Sequence, residues 1–222
     1  MLAGEAVVAI WNGIAPEARD AFYEWHINEH MPERVGIPGF RRGRRYIAMD
    51  AATRPEFFTL YEADTMQVLQ GSDYANRLNA PTAGTRAVTA QFRETFRALS
   101  RVVLSHGPGI GGTILTVRFD SDAQHLAAIR KLVDAAAQEA RVTGVHLCQG
   151  DTDASAVRSS ETRDRTDIQA PPNFFIMVEA TDAEALAPVL TGRMLSEAGV
   201  RGQCERGVYR LEYTRTKTAV AP

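Results

Sequence analysis

His26 and His30 sit four residues apart in the stretch 22–45, FYEWHINEHMPERVGIPGFRRGRR, interleaved with Glu24, Glu29 and Glu33. On a helix that spacing puts both imidazoles on one face. An imidazole titrates near neutral pH, so it is the natural proton carrier, and a neighbouring carboxylate fixes its tautomer. The pattern predicts His30 as general acid/base, His26 assisting, and Glu29 or Glu62 orienting the ring or sharing its proton. The spacing also allows a shared metal, but the HExxH order is absent and a third ligand would have to come from Glu62, His106 or His146. No metal is therefore assigned. The competing readings are a solvated helix face, an imidazolium capping a helix end, or plain surface ion pairs of Glu33 and Arg34.

Four arginines follow in RRGRR, residues 41–45. Strand alternation sends Arg42 and Arg44 to one face and Arg41 and Arg45 to the other. An inward arginine could clamp a carboxylate through both of its terminal nitrogens; the alternative is an edge strand with solvated guanidinium groups. Trp11, Trp25, Phe40, Tyr46, Phe57, Phe58 and Tyr61 crowd the first half of the chain. Most should be core, and any at a cavity mouth would suit an aromatic ligand.

The elements that must hold these groups follow in order. Residues 6–11 read as a buried strand broken at Asn12-Gly13. Pro16 opens a helix whose stripe Ala18, Ala21, Phe22 and Trp25 faces a sheet, and Pro32 should kink or end it near His30. Strands are predicted at 40–49, 57–62 and 92–104, with a short helical stretch at 66–79. GPGIGG, residues 107–112, is a linker; it lacks the lysine of a P-loop and the spacing of a dinucleotide fingerprint. A strand (113–119), a helix (122–140), a strand (144–149), a long charged stretch (151–172) that predicts a mobile excursion, a strand (174–179), a helix (182–197) and a strand (204–213) complete the chain.

PEFFTLYEAD at 55–64 parallels PNFFIMVEATD at 172–182. This repeat supports an α+β fold of two βαββαβ, ferredoxin-like units, 1–106 and 113–222, joined by the glycine-rich linker. Each sheet would have one bare face, and the economical cover is the other unit's bare face. The result is a barrel-like body with a central cavity into which the histidines look.

At 222 residues with net charge −2, the chain lacks the cationic footprint that nucleic acid requires. No apolar run is long enough to span a bilayer. Cys148 and Cys204 are far apart without metal-type spacing and read as reduced cytoplasmic thiols.

The stretch WHINEHMPERVGIPGFRRGRRY, together with LYEADTMQVLQGSDYANRLNAPTAGTR, resembles an EthD-like branch of the dimeric α/β-barrel superfamily in tandem-duplicated form. The positions carrying the likeness are Glu29, His30, Glu33, Arg34, Arg45, Tyr46, Tyr61, Glu62, Ser72, Tyr74, Asn79 and Thr82. His26 stands where an aromatic residue is expected in relatives. With this resemblance, the substrate-binding set is Arg45, Tyr46, Tyr61, Trp25, Tyr74 and Asn79.

These features predict an enzyme of lyase, isomerase or dehydratase type, without an organic cofactor. It would act on a small aromatic or carboxylate substrate in an apolar cavity. The alternatives are a non-catalytic ligand-binding or stress-associated module, a cofactor-free monooxygenase and a His-metal enzyme. A homodimer formed through sheet edges is the preferred assembly.

Overall fold

The computed structural model describes residues 1–217; the end of the second unit, 218–222, lies outside the described residues. Eight strands close into an antiparallel barrel: β1 (Ala6–Ile14), β2 (Phe40–Ala48), β3 (Phe57–Ala63), β4 (Phe92–His106), β5 (Thr113–Phe119), β6 (Val142–Gly150), β8 (Phe174–Ala180) and β9 (Glu205–Thr216). The short β7 (Ile168–Gln169) lies parallel beside β4. The first four strands are ordered β4-β1-β3-β2 and the last four β9-β5-β8-β6. Each is a ferredoxin-like sheet, and β2 pairs with β9 and β4 with β6 to join them. Every strand of the eight is thereby paired on both sides, so a second copy would have to dock through helices or loops rather than through sheet edges.

Both halves of the repeat are strands buried along their whole length. Alternation divides their side chains between two environments. Phe58, Leu60, Phe175 and Met177 point into the barrel with Trp11, Tyr46 and Tyr209, forming a packed cluster. This corrects the expected central cavity. An eight-stranded barrel is just wide enough for its own side chains, and here they are large aromatics. The other set of side chains packs under helices outside the barrel, and it is there that the histidines lie.

Asn12-Gly13 does not end β1; the strand absorbs it as a register shift between Trp11 and Gly13. Nor does Pro32 end the first helix. α1 (Arg19–Trp25) runs into a π-helical turn, His26–His30, and then α2 (Met31–Gly36), with Pro32 in the first turn of α2. Pro32 has no N–H to give to the carbonyl four residues back. The wider turn, in which the Met31 N–H donates to the His26 carbonyl, accommodates it. α3 (Met66–Gln70), α4 (Ser72–Asn79) and α5 (Ala83–Thr89) complete the outer layer of the first half. In the second half α6 (Leu126–Ala136) and α8 (Gly192–Glu197) pack on a wholly aliphatic and aromatic core.

Residues 151–172 are not a free excursion. They begin with α7 (Thr152–Ala156) and cross to the first half, where main-chain and side-chain bonds tie them down. The Leu99 N–H donates to Ser155 Oγ at 3.0 Å, the Glu161 N–H to the Leu78 carbonyl at 3.2 Å, and the Thr95 N–H to the Asp167 carbonyl at 2.9 Å.

Candidate functional site

The two imidazoles lie between the first half's sheet and its helices, their centroids 5.8 Å apart. His26 is fully enclosed. Arg45, reaching outward from β2, places Nη1 3.2 Å from its Nδ1, and the Tyr61 hydroxyl, on β3, is 3.3 Å from its Nε2. A guanidinium can only donate, so Nδ1 is the lone-pair nitrogen and Nε2 carries the proton. The Tyr61 oxygen accepts that proton's hydrogen bond, and its own hydrogen is left to point elsewhere. Burial, reinforced by the positive charges of Arg45 and Arg34, holds the His26 pKa down at about 3.

His30 packs against Trp25 with centroids 4.2 Å apart. Burial first, then Arg34, His26 and Arg77, push its pKa well below the ordinary value. Nδ1 of His30 is buried without a hydrogen-bond partner among the described residues. The same is true of Nη1 of Arg34, a guanidinium whose other terminal nitrogen is ion-paired with Glu161 from the crossing segment. Burial alone would lower the Arg34 pKa; Glu161 and the nearby Tyr74 and Tyr61 overcome that and raise it.

His30, Arg34 and Glu161 help to wall a chamber of about 40 Å³ that His26 and Arg45 do not line, with Trp25, Phe92 and Ile10 as apolar surface and Tyr61, Tyr74, Thr95 and Arg97 as polar surface. Trp25 is fixed through Nε1 donating to Thr85 Oγ1 at 3.2 Å. Tyr74 accepts from Arg97 at 3.0 Å. A buried ring nitrogen and a buried guanidinium nitrogen, both without a protein partner, belong to residues that line one enclosure, where a water molecule or a polar ligand group would satisfy them.

Of the residues singled out in the sequence, the structure brings His26, His30, Trp25, Tyr61, Tyr74 and Arg45 together. Glu29 is turned to α5, where it accepts from Thr82 and, at 3.4 Å, from Thr85. Glu62 and Tyr46 lie on the opposite face of the sheet, inside the barrel, and touch neither imidazole. Adjacent strand residues face opposite ways, so the position that gives Tyr61 to the site gives Glu62 to the interior. There Arg44 joins Glu62 at 3.0 Å and Glu179 at 2.9 Å, the matching glutamates of the two repeats, and His146 is 3.4 Å from Glu179. Asn79 is exposed and anchors the crossing segment, its Oδ1 accepting from the Ser160 N–H at 3.0 Å. Arg44 and Arg45 are buried on a central strand, which overturns the solvated-edge alternative.

Sequence reasoning missed Glu161, Arg165 and Arg97. The first two stand in SETRDRTD, whose charge density reads as solvated loop. Arg34 carried a signal, since it closes the EHMPER motif. Among the described residues no group of three or more His, Cys, Asp or Glu side chains is placed to hold a metal ion. Among the described residues no helix is long and apolar enough to cross a membrane.

No family model matches the sequence, and no curated protein matches it. Solved structures do share its fold. An anthrone oxidase-like protein aligns with TM-score 0.62 at 12% identity, over 95% of this chain and 92% of its own. A candidate monooxygenase from Lactobacillus acidophilus NCFM aligns with TM-score 0.57 at 12% identity, over 97% and 98%. Another candidate monooxygenase, from Fusobacterium nucleatum, aligns with TM-score 0.55 at 11% identity, over 99% and 98%. Likeness at these identities shows a shared ferredoxin-like, dimeric α/β-barrel fold and nothing finer.

Proposed function

We propose that the protein is a small-molecule enzyme whose reaction begins when the neutral imidazole of His30 removes a proton from the substrate. One observation carries this reading: the ring nitrogen Nδ1 is buried and unpartnered on His30, a residue that lines an enclosed chamber together with Arg34, Arg97 and Arg165. A buried polar atom without a partner is costly, and its retention fits a group kept for a substrate. Arg34 and Arg97 hold the negative charge that appears on the substrate as the proton leaves. The Tyr61 hydroxyl, its oxygen engaged by His26, donates to the same charge. Trp25 and Phe92, packed edge to face, give an aromatic body an apolar wall to lie along.

His26 positions Tyr61 rather than moving protons, because both its nitrogens are engaged. The low pKa keeps His30 unprotonated at neutral pH at the cost of basicity, and the substrate anion formed beside it offsets the cost of the buried imidazolium. In an isomerase, lyase or dehydratase reaction the imidazolium returns its proton to the substrate or to a leaving group. The fold neighbours favour a second outcome, in which the same substrate anion meets dioxygen in a cofactor-free oxygenation. This reading takes the chain as a cytoplasmic EthD-like member, with halves 1–106 and 113–222 and only the first half carrying a site. In the second half Val178 stands where Tyr61 stands, in a fully apolar core.

The test is proton exchange into D2O, and oxygen uptake, over a panel of small phenols, ketones and aromatic acids. Wild type should exchange or turn over at least one class, and His30→Gln should lose 10²–10⁴-fold with melting preserved to within a few degrees. Full activity in folded His30→Gln removes the assignment. Oxygen uptake separates the two outcomes.

A further inference from the structure

The chamber, at about 40 Å³, is little larger than the share of one water molecule. No aromatic substrate fits it. Two larger grooves flank it, however, of about 490 Å³ and 500 Å³. The first shares Tyr74, Leu78 and Arg97 with the chamber, and the second shares Thr89, Phe92, Glu161 and Arg165. Between them lie residues 159–161, from which Glu161 reaches in to Arg34.

The charges around the chamber do not cancel. Arg34 has Glu161, and Arg165 has Asp167 at 2.7 Å. Arg97 meets only the Tyr74 hydroxyl, with no carboxylate partner among the described residues. With Nη1 of Arg34 also unmatched, the wall offers more donors to an anion than the protein's own acids use.

We propose that the substrate is a small aromatic carboxylate, and that its carboxylate takes the place of Glu161 on Arg34. Glu161 is then the protein's own stand-in for the ligand. Its displacement joins the chamber to the grooves and makes room for the ring alongside Trp25 and Phe92, which pack edge to face against each other with centroids 6.2 Å apart. Glu161 already presents a carboxylate to Nη2 of Arg34, and a ligand carboxylate set slightly differently can also engage the unmatched Nη1, in bidentate fashion. This inference rests on the chamber being the substrate site, but not on His30 being the base.

The experiment measures benzoate binding to the full-length protein by calorimetry and thermal shift at constant ionic strength, with benzyl alcohol and inorganic phosphate as comparisons. Glu161→Gln and Glu161→Ala should bind benzoate at least tenfold more tightly than wild type, because the internal competitor is gone. Benzyl alcohol and phosphate should show no such gain. Adding Arg34→Gln to Glu161→Gln should abolish the gain. Benzoate affinity that is unchanged by Glu161→Gln, or an equal gain for benzyl alcohol, overturns the proposal. A gain for phosphate in place of benzoate overturns the carboxylate assignment. Glu161→Gln differs from the native side chain by one amide, so the measurement stands even where Glu161→Ala fails to fold. Benzoate binding retained in Glu161→Gln/His30→Gln supports the proposal even where the proton-transfer reading has failed.

Discussion

Replacing His26 with glutamine tests the electrostatic picture of the site directly. A glutamine can accept from Arg45 and donate to Tyr61, as the neutral ring does, but it does not titrate. In wild type the groups facing His26 are Arg45, Tyr61, Arg34, Phe22, Trp25 and His30. None is an anion, and burial with the arginines holds the pKa at about 3. An unfolded histidine titrates near 6.5. The folded value is the lower one, so the unfolded chain binds the proton first. The stabilising contribution is complete above pH 6.5 and is lost progressively as pH falls toward 3. Between pH 6.5 and 4.5 the loss from His26 alone is roughly 2 kcal/mol. For a chain of this length that corresponds to roughly 4–8 °C in Tm. His30 contributes in the same direction but remains in both proteins, so it cancels in the difference. Calorimetric Tm should therefore show His26→Gln somewhat less stable than wild type at pH 7.5, through lost packing on Phe22. The two should converge or cross by pH 4.5. Melting curves that stay parallel over that range would refute the assignment of His26 as a buried neutral ring.

Two further substitutions probe the two faces of the sheet. Arg44→Met leaves Glu62 and Glu179 buried with one cation fewer and should cost about 3–5 kcal/mol in chemical denaturation at pH 7. Burial alone would raise the Glu179 carboxyl, while His146 and Arg44 hold it down at about 2. The defect should therefore narrow in acid as the carboxyl in the variant takes up a proton, and Glu179→Gln in the same chain should recover part of it. Tyr61→Phe strands the Nε2–H of His26 and should lower stability by about 1–3 kcal/mol. It should also cut kcat/KM by about tenfold or more on whatever substrate the exchange panel identifies; unchanged kcat/KM would remove Tyr61 from the reaction.

The fold was legible because the repeat around Phe57 and Phe174 is written in strands buried on both faces, where few substitutions are tolerated. The location of the candidate site was proposed from two histidines on one turn, and the structure buries both in one place. The face was not legible. With both sides of β3 buried, hydrophobicity does not distinguish the barrel interior from the helix-covered side. Only the strict alternation of Tyr61 and Glu62 showed that they could not both serve one imidazole. The cover over the site was illegible for a different reason. Glu161 and Ser160 look solvated until their partners, Arg34 and Asn79, are known, and those lie 127 and 81 residues away along the chain. The turn at His26–His30 was hidden as well, since Pro32 announces a break and not the wider coil that absorbs it.

The crossing segment is an enlargement of one connection. In the first half β2 and β3 are joined by residues 49–56, and in the second half β6 and β8 are joined by residues 151–173. The longer link belongs to the second half and roofs the candidate site of the first. Splitting the gene at the glycine-rich stretch 107–112 would therefore part the floor of the chamber from its ceiling. Tandem fusion guarantees a one-to-one stoichiometry between them, and it makes the second half part of the first half's architecture.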